Sequence, residues 1–352
     1  MQDILTDLMA IIGTVLNGIP QGLLALTFGF ASIPTAMAFF IGAFGNTVTG
    51  NVAPISFQAE TITYAGTAGK NRAERSAMIF IGAAIMALIG FAGMLTKIVD
   101  FIGSDIAFGM MAGVGIMLSQ VAINMVKKEH IAGGVSLAAA LIAYVFSRNS
   151  PNSLVYTIII SVVASCIANN LLGDKNENIV VADDKFIRQK FSFNFKVLTG
   201  ALGMVCLNIG SNISFGSITA SMAPAAHYNV DQLTVISSLA DMGSSFFGGA
   251  PVESIISATA NAPHAVISGV LMMIVLGVIL ITGVLPKIGK YVPPSSIAGF
   301  LFVLGVFKTV ALDAPAALAN NPAVGGITMV VTAVTNPFFG MLAGIVTRVI
   351  GM

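Results

Sequence analysis

The sequence predicts an all-α polytopic membrane protein of fourteen segments, built as a seven-plus-seven inverted repeat. Three observations carry this. Apolar runs of near-membrane length recur from one end of the 352-residue chain to the other. The chain is 56% hydrophobic and only 9% charged, with mean hydropathy +0.93, too little polar surface to cover a soluble domain of this size. One long polar stretch divides the chain, and short motifs recur across it in the same order.

The expected segments are 8–29, 32–47, 48–66, 74–97, 104–126, 129–147 and 151–173, followed by 195–222, 231–248, 249–263, 264–286, 293–312, 319–335 and 336–352. The domain boundaries follow: 1–173 as the first repeat, 174–194 as a polar connection, and 195–352 as the second repeat. Leu16-Asn17-Gly18-Ile19 answers Leu207-Asn208-Ile209-Gly210, with Gln21 matched by Asn212. Ala53-Pro54 answers Ala250-Pro251, and Gly109 and Gly115 answer Gly299 and Gly305, at offsets of 191, 197 and 190. An odd number of spans per half forces the second half to insert upside down.

The third and tenth segments are short and polar, with Gln58, Glu60, Thr61, Thr63 and Tyr64 in one and Glu253, Ser254, Ser257, Thr259 and Asn261 in the other. Such segments survive only inside protein or beside a watery cavity. Asn51-Val52-Ala53-Pro54-Ile55-Ser56 and Gly248-Gly249-Ala250-Pro251-Val252-Glu253-Ser254 break them with Gly and Pro. Proline lacks a backbone donor and resists helix, so the chain before it runs extended. A short extended piece feeding a half-helix in mid-membrane is how secondary transporters build a substrate site.

A carboxylate at the centre of a membrane helix costs roughly 2.5–3.5 kcal/mol on insertion scales, so Glu60 and Glu253 need a partner, water or a proton. Both are candidates for binding substrate donors and for taking up a proton. The bland alternative places each at a span end in water or bonded only to neighbouring backbone, and Lys70, Arg72 and Arg75 close after Glu60 weaken the functional reading there. Asp241 either satisfies backbone donors at an interrupted helix or joins the proton relay. Asn17, Gln21, Asn208 and Asn212 suit a planar hydrogen-bonding solute or serve as glue between helices. His130, His227 and His264 fall in or beside expected loops and read as solvated, and the methionines read as packing.

Composition excludes several classes. A net charge of +1 gives no reason to expect nucleic acid. Cys166 and Cys206 lie inside expected spans, which argues against a structural disulfide. No cleavable signal is expected, because Asp3 and Asp7 precede the first apolar segment where a basic region would stand. Metal-ligand spacings, nucleophile elbows and phosphate loops are missing from the sequence, so neither an enzyme nor a metal or organic cofactor is expected. Asn321-Pro322 and Asn336-Pro337 read as helix punctuation. Loops on the N-terminal side hold four Lys or Arg and the other side twelve, which favours an external N-terminus.

Gly248-Gly249-Ala250-Pro251-Val252-Glu253-Ser254 resembles the Gly-Gly-Xaa-Pro stretch opening the tenth segment of the nucleobase:cation symporter-2 (nucleobase–ascorbate) family. Leu239-Ala240-Asp241 resembles the ninth segment of its adenine/guanine/hypoxanthine permease branch. Gly50-Asn51-Val52-Ala53-Pro54, Ala107-Phe108-Gly109 to Gly115-Ile116, and Val292-Pro293-Pro294 to Gly305-Val306 resemble its third, fifth and twelfth. The resemblance implies core and gate domains, short strands in segments 3 and 10, and proton- or cation-coupled nucleobase uptake. It also implies a cytoplasmic N-terminus, against the Lys and Arg count. Two positions depart from the pattern. The family commonly carries an acidic residue in its eighth segment, where this chain has Asn208 and Asn212. Registered on Gly-Gly-Xaa-Pro, Glu253 comes about one turn before the family's glutamate, and Ser257 takes its place.

The resulting expectation is a multi-pass protein of the plasma (inner) membrane that carries a purine or related nucleobase, coupled to H+ or alternatively Na+. Glu253, Ser254, Glu60, Gln58, Asn208, Asn212 and Asn17 would bind the base with the backbone at Ala53 and Ala250. Glu253, Glu60 and Asp241 would handle the proton. The partners expected are that small molecule and the lipid bilayer, with a homodimer left open. The first alternative is a sulfate- or bicarbonate-like anion transporter of the same architecture, because helix N-termini at the midplane suit an anion. Glu60 and Glu253 would repel an anion, and such carriers usually add a C-terminal regulatory domain. A non-transport scaffold or an intramembrane enzyme is the alternative of another class.

Overall fold

Backbone in lipid has no water to bond, so each long apolar run closes on itself as helix. The computed structural model describes residues 2–150, 153–172, 185–289 and 291–351. The first half runs α1 (Gln2–Thr27), α2 (Ser32–Thr49), β1 (Ile55–Ser56), α3 (Ala59–Ala68), α4 (Arg72–Phe91), α5 (Leu95–Ile102), α6 (Ser104–Lys128), α7 (His130–Ser147) and α8 (Ser153–Leu172). The second half repeats the plan with α9 (Phe195–Met222), α10 (Val230–Phe246), β2 (Glu253–Ser254), a 3₁₀ turn at Ala258–Asn261, α11 (Ala265–Ile281) and α12 (Val284–Gly289). A continuous span follows over Pro294–Ala317, containing α13 (Ala298–Val303), a π-helical stretch at Leu304–Val310 and α14 (Ala311–Ala317). It is followed by α15 (Pro322–Val334) and α16 (Pro337–Val349). Among the described residues, six helical segments are long and apolar enough to cross a membrane. Most of the expected polar connection, 174–184, lies outside the described residues.

The chain forms two compact units, Met1–Phe101 with Ala182–Leu285, and Ile102–Val181 with Pro286–Met352. Each unit takes a piece from both halves. The first holds both broken segments. Its strands β1 and β2 pair antiparallel, with Ile55 opposite Ser254 and Ser56 opposite Glu253. The approaches to the strands are tied reciprocally. Ala31, between α1 and α2, donates to the Gly248 carbonyl before β2 (2.9 Å), and Val52, before β1, donates to the His227 carbonyl between α9 and α10 (2.9 Å). Gly248, at φ +81°, is the turn that releases α10 into the crossing. Arg72 at the start of α4 donates to the Phe247 and Gly248 carbonyls, and Arg75 to those of Phe28 and Gly69. Cations at these exposed carbonyl ends are where the helix dipole favours them.

In the second unit small residues set the packing. Gly109 and Gly113 of α6 lie against Thr328 and Thr332 of α15, which Gly344 and Gly340 of α16 also approach. This is close contact through small residues spaced four apart. Gly115 and Gly305, matched across the two halves by sequence, face each other, and a methyl group on either would meet the other's carbonyl oxygen. Asn321 and Asn336 accept from the Val324 and Phe339 amides (3.1 Å each) with proline at the first helical position, the N-cap arrangement behind both Asn-Pro pairs.

Three segment expectations are corrected. The span expected at 74–97 ends at Phe91, where Gly93 turns at φ +62° and α5 begins anew. The span expected at 264–286 breaks at Gly283, φ +67°, into α11 and α12. The half-helix expected after β2 is only a four-residue 3₁₀ turn. Pro263 holds Ala262 extended at φ −76°, ψ 150° and leaves no length for α-helix.

Candidate functional site

The site is built where β1 meets β2, entirely within the first unit. Crossing strands of two residues expose more backbone polarity than one ladder satisfies, so neighbouring side chains supply the rest. Asn46 of α2 donates to the Ala53 carbonyl (2.8 Å), and the Ala53 amide donates to Asn51 Oδ1 (3.2 Å). In the other half, Ser244 of α10 donates to the Ala250 carbonyl (2.7 Å), and the Ala250 amide donates to Thr35 Oγ1 (2.8 Å). The backbone at Ala53 and Ala250 is thus satisfied inside the protein. Val252 donates its amide to Asp241 Oδ1 at 2.7 Å, so Asp241 satisfies a freed backbone donor as the bland reading has it.

Glu253 is fully buried on β2, opposite Ser56. Asp241 and Asn208 flank its carboxyl, yet neither Glu253 oxygen has a well-formed hydrogen bond. Asp241 keeps its second oxygen unbonded, and so do Asn208 Oδ1 and Asn17 Oδ1, the matched amides of α9 and α1. Ser56 Oγ, Ser254 Oγ and Gln58 Nε2 are also buried without partners. Gly18, next to Asn17, brings α1 against Ser56, with 3.3 Å between its missing methyl position and Ser56 Oγ. The roster is lopsided: five oxygens that only accept on Asn17, Asn208, Asp241 and Glu253, two serine hydroxyls, and Gln58 as the one group that only donates. Leaving buried groups unmatched costs about 1–3 kcal/mol each, and more for charged ones.

The remaining expected residues take other positions. Glu60 is buried in the first turn of α3, against its own backbone N–H, and makes no hydrogen bond to Glu253. Asn212 donates to Thr234 (3.2 Å) and Ser237 (3.3 Å) of α10, joining two helices, while its side-chain Oδ1 stays unpartnered. Gln21 donates back to the Asn17 carbonyl (3.4 Å). Ser257 caps the 3₁₀ turn by accepting from the Thr259 amide. His264, read as simply solvated, is paired. Its Nδ1 lies 2.7 Å from Asp7, which also accepts from the His264 amide and Ser268 Oγ. Among the described residues no cluster of His, Cys, Asp and Glu could hold a metal.

No protein-family model matches the sequence, and no curated protein does. Solved structures do resemble it. The transmembrane domain of a cyanobacterium bicarbonate transporter, BicA, is 16% identical over 97% of each chain, at TM-score 0.68. The murine Solute Carrier 26 family member A9 anion transporter, in its inward-facing state, is 14% identical over 99% of this chain and 68% of its own, at 0.70. A second SLC26A9 structure is 13% identical over 99% and 65%, at 0.73. These likenesses establish the shared seven-plus-seven fold. They do not support the specific nucleobase-permease family that the sequence motifs resemble.

Proposed function

We propose that this protein is a secondary transporter that moves a small polar solute together with a cation. One observation carries the reading: Glu253 and Asp241 lie side by side in the buried strand crossing, with three carboxyl oxygens unbonded. Two carboxyls held together inside a membrane cannot both stay ionised without a positive charge between them. A proton, or alternatively Na+, meets that need, and its arrival and departure would couple the site to an ion gradient.

The similar structures give an anion first claim as the solute, since they carry bicarbonate or are anion transporters by name. Near Glu253 an anion would have to travel with its neutralising cation, which makes this a symport. A second reading, a nucleobase, keeps one observation in its favour. The site's unmatched groups are mostly acceptors, and a purine ring offers several N–H donors where sulfate offers none and bicarbonate a single O–H.

Uptake into proteoliposomes separates the two. Labelled bicarbonate, sulfate, adenine, hypoxanthine and uracil are tested with imposed H+ and Na+ gradients. Gradient-driven accumulation of any one supports coupled transport, and its chemistry chooses the class. Replacing Glu253 by Gln should reduce accumulation about 10- to 100-fold, the scale of one charge-assisted hydrogen bond. Full accumulation in that variant, with unchanged gradient dependence, would remove Glu253 from the mechanism.

A further inference from the structure

The residues leading into α9 form a strap that the transport reading does not use. Over Lys185–Lys196 the sequence interleaves four Lys or Arg with four Phe and contains no acid. It runs without helix until α9 opens at Phe195. One side is fastened to the first unit. Phe191 packs on Phe80 (ring centroids 4.8 Å) and Phe246 (6.0 Å), and Phe186 meets Phe247 edge-on (5.4 Å). Arg188 lies over the Phe246 ring at 5.2 Å, and the Gln189 amide donates to the Phe246 carbonyl at 2.9 Å.

The other side is presented outward. Phe193 and Phe195 are 75% and 76% exposed, and Lys185 and Lys190 are exposed with them. Lys196 is spoken for in part by Glu74. Trp, the usual interfacial ring, is absent from the chain, so anchoring at the headgroup level falls to other aromatics and to Lys. Because the strap is continuous with a membrane-crossing helix, lipid headgroups are within its reach.

We propose that Lys185–Lys196 is a docking element for anionic lipid headgroups of the leaflet it faces. The outward Phe rings settle at headgroup depth, and Lys185 and Lys190 meet the phosphates. Its inward side grips Phe246 and Phe247, directly before the Gly248–Glu253 crossing, so a bound lipid steadies the segment that leads to the site.

The test uses the full chain purified in detergent and titrated with phosphatidylglycerol or phosphatidylcholine. Thermal unfolding and bound lipid, by native mass spectrometry, are the readouts, and neither depends on transport. Phosphatidylglycerol should raise the unfolding midpoint at lower concentration than phosphatidylcholine. Each lysine contributes roughly fivefold in affinity, so Lys185→Gln with Lys190→Gln should raise the phosphatidylglycerol half-point at least about tenfold. The Lys185→Arg, Lys190→Arg pair should leave it unchanged. Equal effects of the two lipids, an unmoved half-point in the Gln pair, or the same stabilisation by inorganic phosphate alone would each overturn the proposal.

Discussion

Asp241 has two jobs that a single substitution can separate. Its Oδ1 accepts the buried Val252 amide at 2.7 Å, while its Oδ2 stays unbonded beside Glu253. Asparagine keeps an oxygen for Val252 and removes the charge; alanine removes both. Asp241→Asn should therefore unfold near the parent's temperature yet lose cation-driven accumulation in proteoliposomes. Asp241→Ala should cost about 1–3 kcal/mol more, read as a lower unfolding midpoint in detergent. If both variants melt alike, the Val252 bond is not what Asp241 holds. Glu253 and Asp241 were legible as candidates because a charge in an apolar run always calls for an explanation. The Asp7–His264 pair was not, since its members stand 257 residues apart and each looks ordinary in its own stretch.

At the scale of elements, the strand crossing and the glycine contacts do different work. The crossing carries polar groups to the middle of the first unit, and its stability comes from side chains of α2 and α10 rather than from its two-residue ladder. In the second unit, α6 touches the π-helical stretch through Gly115 and Gly305. A methyl at Gly115 would sit 2.8 Å from the Gly305 carbonyl, whereas Gly134 on α7 faces nothing within 4 Å. Gly115→Val should lower the unfolding midpoint by the equivalent of about 1–3 kcal/mol of overpacking, and Gly134→Ala should leave it nearly unmoved. Equal midpoints for the two variants would mean that α6 shifts to make room. Repeat matching found both glycines, but as equivalent positions. That equivalents face each other is a property of how the two halves intertwine.

For the whole molecule, two signals conflict over which end faces the cytoplasm. Loops on the side of Lys70–Arg75 and Lys185–Lys196 hold twelve of the sixteen Lys and Arg, a count that favours that side as the cytoplasmic one. The resemblance to nucleobase permeases implies the reverse. On the charge argument, Ser192→Cys in a Cys166→Ser, Cys206→Ser background should resist a membrane-impermeant maleimide in intact cells and react in inverted vesicles. Labelling in intact cells would favour the reverse orientation. Membrane residence, helix class and the breaks at Pro54 and Pro251 were determined by sequence alone, because an apolar run in lipid closes on itself as helix and because proline acts locally, whereas the turns at Gly93 and Gly283 emerged only in the structure. Only the tertiary structure decided that β1 would pair with β2, that Ala53 and Ala250 would be satisfied from within, and that Glu253 would lie against Asp241. Those outcomes depend on residues up to about 200 positions apart meeting in space, and no local pattern encodes such a meeting.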